Sequence, residues 1–164
     1  MRVEEPAERF VVRLDQVDER LQDLATIPSA PGLTEPDPGA EERWDWGQVW
    51  AHTAEFPTYW MAQIQSILDQ ESVQPVPFGR TKADVGRLTA IEVDRSAPVS
   101  DLWARVSEEI RHLKAFLADI PPNGWRLRGA HPTLGVKDVS DIVEEFLVGH
   151  LEEHADQLER LANP

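Results

Sequence analysis

Apolar residues recur every three or four positions along most of this chain, which is the period of a helix that buries one face. Ala7, Phe10, Val11, Leu14, Val17, Leu21 and Leu24 mark such a face over residues 5–26. A run rich in proline and glycine, from Pro28 to Gly39, then ends it. A second helix is predicted from Trp44 to Gln70, with Trp46, Val49, Trp50, Phe56, Trp60, Ile64 and Ile67 among its inward residues. Pro57 in its interior predicts a kink, because proline lacks an amide hydrogen and its ring crowds the preceding turn. Ser100 and Asp101 read as N-cap and first turn of a third helix to Asp119, which places Leu102, Val106, Ile110, Leu113 and Leu117 inward. Pro121, Pro122 and Gly124 stop that helix. The fourth is predicted from Val136 to Ala162, on a stripe of Val136, Val139, Val143, Phe146, Leu147, Leu158 and Leu161. Strand-type alternation is almost absent, so the fold class is all-α: a four-helix bundle in a single domain over residues 1–164.

The connection over residues 71–99 informs topology. Nearly thirty residues at about 3.3 Å each can recross the roughly 40 Å length of a long helix, so the second and third helices are free to run parallel. A short helix around Lys82 to Asp94 fits within it.

Composition narrows the function. Sixteen basic residues against thirty acidic give a net charge of −14, which argues against nucleic acid or an anionic membrane as partner, since both are bound mainly through Lys and Arg. No apolar run reaches transmembrane length, and the first residues are charged, so neither a span nor a secretory signal is expected and the location is read as cytoplasmic. Cysteine is absent. Thiolate ligands and a cysteine nucleophile are thereby excluded from this chain, and any thiol chemistry needs a thiol from outside.

His150 and His154 stand one turn apart on the fourth helix and continue its apolar stripe. Two inward imidazoles without partners cost about 1–3 kcal/mol each, whereas a metal ion satisfies one nitrogen of each ring. His52, on the second helix, is the natural third ligand. It lies roughly 12 Å from that helix's start, and the pair lies at a similar distance from the end of the fourth. These levels coincide only if the second and fourth helices are antiparallel, as in a bundle with a long crossover. Three nitrogen ligands suit zinc, nickel, cobalt or iron.

The W-x5-H setting of His52, the long crossover, the loop HPTLGVKDVSDIV and the closing HLEEHADQL together resemble the DinB/YfiT-like superfamily over nearly the whole chain. The resemblance implies an up-down-down-up four-helix bundle, often a homodimer, with a divalent metal on His52, His150 and His154. It also implies thiol-dependent S-transferase chemistry using mycothiol or bacillithiol, or relatedness to a mycothiol-dependent maleylpyruvate isomerase. A divalent ion with an open position lowers the pKa of a bound thiol or water. Glu153 and Glu55 are candidates for orienting the rings or moving a proton, against the plainer reading of solvated helix-face glutamates. Gln157 is a candidate for positioning a ring. A non-catalytic metal-binding or interaction protein on the same scaffold is the alternative from another class.

Residues 150–154 also match the H-x-x-E-H pattern of inverted zinc peptidases, in which Glu153 would be the general base. Those enzymes take an acidic ligand from well downstream, and only ten residues follow His154. His112 reads as a solvated residue. His131, before Pro132, is expected in an extended loop where it caps a helix or reaches a pocket, at the end of the bundle opposite His150. Trp50, Tyr59 and Trp60 are read as core residues that could also line an apolar substrate pocket.

Overall fold

Helix α1 (Pro6–Leu24) opens with proline at its first position, where the missing amide costs nothing, and buries Phe10, Leu14, Val17, Leu21 and Leu24. In this computed structural model residues 5–38 and 41–164 are described; residues 1–4 and Gly39, read above as part of a charged start and a helix break, lie outside them. Helix α2 (Trp46–Gln70) begins two residues later than expected. Asp45 takes the N-cap, accepting from the Gln48 amide at 2.9 Å, while Gln48 Oε1 accepts from the Asp45 amide at 3.0 Å. This reciprocal cap fixes the helix start and so the height of His52. The helix continues through the buried Pro57.

The crossover carries strand β1 (Val76–Pro77) and helix α3 (Val85–Asp94), the latter capped by Asp84 and close to the predicted short helix. Helix α4 (Val99–Asp119) follows Pro98; Ser100 lies inside the helix, not at its cap. The last predicted helix is corrected at its start. Residues Gly135–Asp138 form strand β3, paired antiparallel with β2 (Arg128–His131), which pairs in parallel with β1. Val136 is accordingly 54% exposed and no part of the buried stripe. The helix starts at Val139, capped by Asp138, as α5 (Val139–Ile142), passes through a π-helical stretch, Val143–Val148, and continues as α6 (Gly149–Ala162). The all-α architecture therefore carries a small three-stranded sheet.

Contacts fix the directions. Trp50 meets Trp103 near the starts of α2 and α4, Thr58 donates to Glu109 midway, and Leu68 and Ile120, near the ends, both lie against Gly124; α2 and α4 are parallel. Arg13 pairs with Glu144 and Glu152, and Arg20 with Asp156 and Glu159, so α1 runs parallel to the last helix. His52 faces His150 while Trp60 stacks on Phe146, so α2 opposes α6. The bundle is up-down-down-up. At the α2 start a side chain on Gly47 would place Cβ 2.0 Å from the Arg95 carbonyl oxygen, so glycine lets the end of α3 close against α2. Among the described residues no helix is long and apolar enough to cross a membrane.

Candidate metal centre

His52 is seven residues into α2, and His150 and His154 share one face of α6. Antiparallel packing brings the three rings to one level. His52 Nε2 and His154 Nε2 each lie 3.1 Å from His150 Nε2, and the three candidate ligand atoms all fall within 4.8 Å of one another. His52 and His154 are each 3% exposed; the side chain of His150 is 26% exposed and faces the cleft.

The outer nitrogens explain this convergence. His52 Nδ1 contacts Glu55 Oε2 at 3.2 Å, His150 Nδ1 contacts Glu153 Oε2 at 3.3 Å, and His154 Nδ1 contacts Gln157 Oε1 at 2.7 Å. Each acceptor stands three residues after its histidine, on the same helix face. The bond from His150 lowers the pKa of Glu153, and because an ionised carboxylate only accepts, the ring nitrogen that faces it, Nδ1, is the donor. The same assignment at all three rings turns each Nε2 lone pair toward the others. Lone pairs 3.1 Å apart repel, so this arrangement favours a cation between them, proton or metal.

The environment disfavours the proton. Burial, then the neighbouring His154, holds the His52 pKa well below its ordinary range. Burial, then His150, lowers His154 to about 3. The donor set fits a metal ion. Nitrogens each about 2.0–2.1 Å from a tetrahedral zinc would stand about 3.3 Å apart, close to the spacing here, and the outer hydrogen bonds are those that orient ligating histidines.

Glu55 is itself held. Its side chain, 11% exposed, lies 2.5 Å from Arg80 Nη2, and the Arg80 guanidinium sits 3.9 Å from the Tyr59 ring centroid. Burial raises the Glu55 pKa and Arg80 opposes that shift. Sequence reasoning named the three histidines, Glu55, Glu153 and Gln157, and the fold brings all six together.

It missed Trp44, edge-on to His52 at 4.9 Å and stacked with His154 at 6.0 Å. It gave Phe56 only a place in the core, whereas the ring packs against all three imidazoles. A repeated signal for the acceptors behind the rings was present: H-x-x-E at 52–55, H-x-x-E at 150–153 and H-x-x-Q at 154–157.

The aromatic pocket is redistributed. Trp60 lines the cleft, and Tyr59 lies under Arg80. Trp50 is fully buried between Trp46 and Trp103, so its expected place in a substrate pocket is corrected to the core against α4. His112 is exposed beside Glu108.

His131 does not sit at the far end from His150. The β2–β3 hairpin folds it back so that both line one cavity, although it stays outside the ligand cluster. His131 Nε2 donates to the Arg80 carbonyl at 3.1 Å, and Nδ1 accepts from the amides of Thr133 and Leu134. The inverted-peptidase arrangement is not formed: the third nitrogen comes from His52, and Glu153 is tied to His150.

The chain has the fold of YfiT from Bacillus subtilis, described as a probable metal-dependent hydrolase with an unusual four-helix bundle topology. The two superpose with a TM-score of 0.73 over 99% of this chain and 89% of that one, at 17% identity. An uncharacterised protein from Clostridium difficile 630 matches with a TM-score of 0.65 over 97% and 96% of the two chains, at 11% identity. No protein-family model and no curated protein sequence matches. Fold and site thus define a YfiT-like four-helix bundle with a three-histidine cluster.

Proposed function

We propose that the chain holds a divalent metal on His52, His150 and His154 and activates a small nucleophile there, foremost a low-molecular-weight thiol of the mycothiol or bacillithiol type, for transfer to an electrophile. The observation that carries the reading is the convergence of three Nε2 atoms whose Nδ1 atoms are all engaged by acceptors. A divalent ion with three neutral nitrogen ligands keeps a position open, where it lowers the pKa of a thiol or water.

The chain's own residues supply the rest. Glu55, Glu153 and Gln157 hold the rings, Trp44 and Phe56 exclude water from the buried side, and the cleft at His150 admits substrate. Glu153 lines the cleft, and its second carboxylate oxygen would take the thiol proton while Oε2 keeps His150. The proposal includes a homodimer, as the family resemblance implies, and a cytoplasmic location, as the sequence leads one to expect. Hydrolysis is the second reading, favoured by the description of YfiT, with water in place of the thiol.

Elemental analysis of purified protein tests the site. Wild type should carry near-stoichiometric metal and His52→Ala and His154→Ala little; equal metal in all three refutes it. Metal-loaded protein should then conjugate a cellular thiol to a chlorobimane. Absence of conjugation and of ester hydrolysis alike would leave a metal-binding protein without catalysis.

A further inference from the structure

The cleft beside the histidines has two lobes that share Lys82, Arg87, Leu134, Phe146 and the rings of His52 and His150. Their chemistry differs. One lobe, of about 310 Å³, is lined by the carboxylates of Asp37, Glu42, Glu145 and Glu153. The other, of about 460 Å³, is lined by Arg80, Lys82 and Arg87 and, among the described residues, by no carboxylate. Three cations around an acid-free cavity stand out in a chain with 30 acidic residues and 16 basic.

These cations are seated by groups outside the lobe. Glu55 holds Arg80, Glu42 and the Lys82 carbonyl hold the two terminal nitrogens of Arg87, and Asp37 holds Lys82. Donors remain. Among the described residues Arg87 keeps its Nε–H, and the Lys82 ammonium carries three N–H groups of which Asp37 takes one. Thr81 and Thr133 add hydroxyl-bearing residues to the same wall.

The facing wall is aromatic. Trp60 and Phe146 stack at 4.3 Å with their planes 22° apart, and His131 lies on Phe146 at 5.5 Å and 11°. Leu134, 51% exposed, stands at the mouth. An aromatic apolar surface beside a cationic edge recognises a molecule with an apolar body and one anionic group.

We propose that this lobe binds an aromatic carboxylate as the substrate. Its carboxylate rests on Lys82 and Arg87, and its apolar body packs against the Trp60–Phe146 stack, beside His52 and His150. As a substrate assignment this rests on the metal-centre reading. As an anion site it is measurable without metal.

The test is calorimetric titration of the metal-free full chain with phenylacetate, its neutral amide phenylacetamide, and inorganic phosphate. Phenylacetate should bind at least tenfold more tightly than either of the others. The preference for acid over amide should vanish in Lys82→Glu, a substitution at a side chain 51% exposed, with circular dichroism and zinc content unchanged. Lys82→Met should weaken phenylacetate binding severalfold and leave the amide unaffected. Equal binding of acid and amide, phosphate binding as tightly as phenylacetate, or a preference surviving in Lys82→Glu would overturn the proposal. Loss of zinc binding in wild type would instead strike the metal centre and leave this titration standing.

Discussion

The buried ring of His154 has one outer partner, Gln157 Oε1, at 2.7 Å. Gln157→Leu keeps the approximate volume and removes the acceptor, so the ring loses both its tautomer and its fixed rotation. Outer partners of ligating histidines are typically worth 10–100-fold in metal affinity. Zinc competition against a chromogenic chelator should show a loss of that order, and an unchanged affinity would remove Gln157 from the site. His131 makes a second prediction. Burial lowers its pKa below 6.5 in the folded chain, and a proton on Nδ1 would face the Thr133 and Leu134 amides that it now accepts. Below about pH 6.5 the unfolded chain binds the extra proton first, so this contribution to stability is lost as pH falls toward the folded pKa. The urea midpoint of His131→Gln should depend less on pH between 7 and 5 than that of wild type; parallel profiles would refute the assignment. Residues of regular helix were legible because spacing alone sets their faces. Arg80 and Trp44 were not, since each reaches the site from a loop whose path no periodicity encodes.

In the last helix, the Val143–Val148 π stretch precedes His150 directly, and the Gly149 amide bonds the Glu144 carbonyl five residues back. A wide turn of this kind inserts a residue and rotates everything after it relative to everything before. The helical stripe read from the sequence ran straight through it, because Val143, Leu147, His150 and His154 follow at intervals of four, three and four residues and nothing in that rhythm reveals the extra residue. Gly149 was the trace it left. A Cβ there would lie 2.4 Å from the Glu144 oxygen, so Gly149→Ala must tighten or break the wide turn. The expected cost is about 1–3 kcal/mol, as for other forced core contacts, read as a lower urea midpoint. Zinc content should fall with it, because α6 would re-phase relative to α2; full stability with full metal would show that the turn does not set the histidines. The β2–β3 hairpin was missed for another reason. Its strands have four residues each, too few to display alternation, and Val136 within it is apolar but exposed.

For the whole molecule, the long crossover and the histidine levels were two views of one constraint. Only with α2 and α4 parallel does α6 return antiparallel to α2 and bring residues about a hundred positions apart into one cluster. That is why the topology could be inferred from the site and the site from the topology, although the sequence carried no sign of the sheet that pins the crossover to the final hairpin. A metal ion here would clamp α2 to α6 and bind only the folded chain. At a free concentration a hundredfold above its dissociation constant, such binding stabilises by about 2.7 kcal/mol. In a domain of this size that corresponds to a rise in melting temperature of roughly 5–11 °C. Zinc added to chelator-stripped protein should produce this shift, excess chelator should reverse it, and His52→Ala should melt at one temperature with or without zinc. A shift of equal size in His52→Ala would mean that the ion stabilises the chain from somewhere other than the junction of α2 and α6, and the clamp would have to be abandoned.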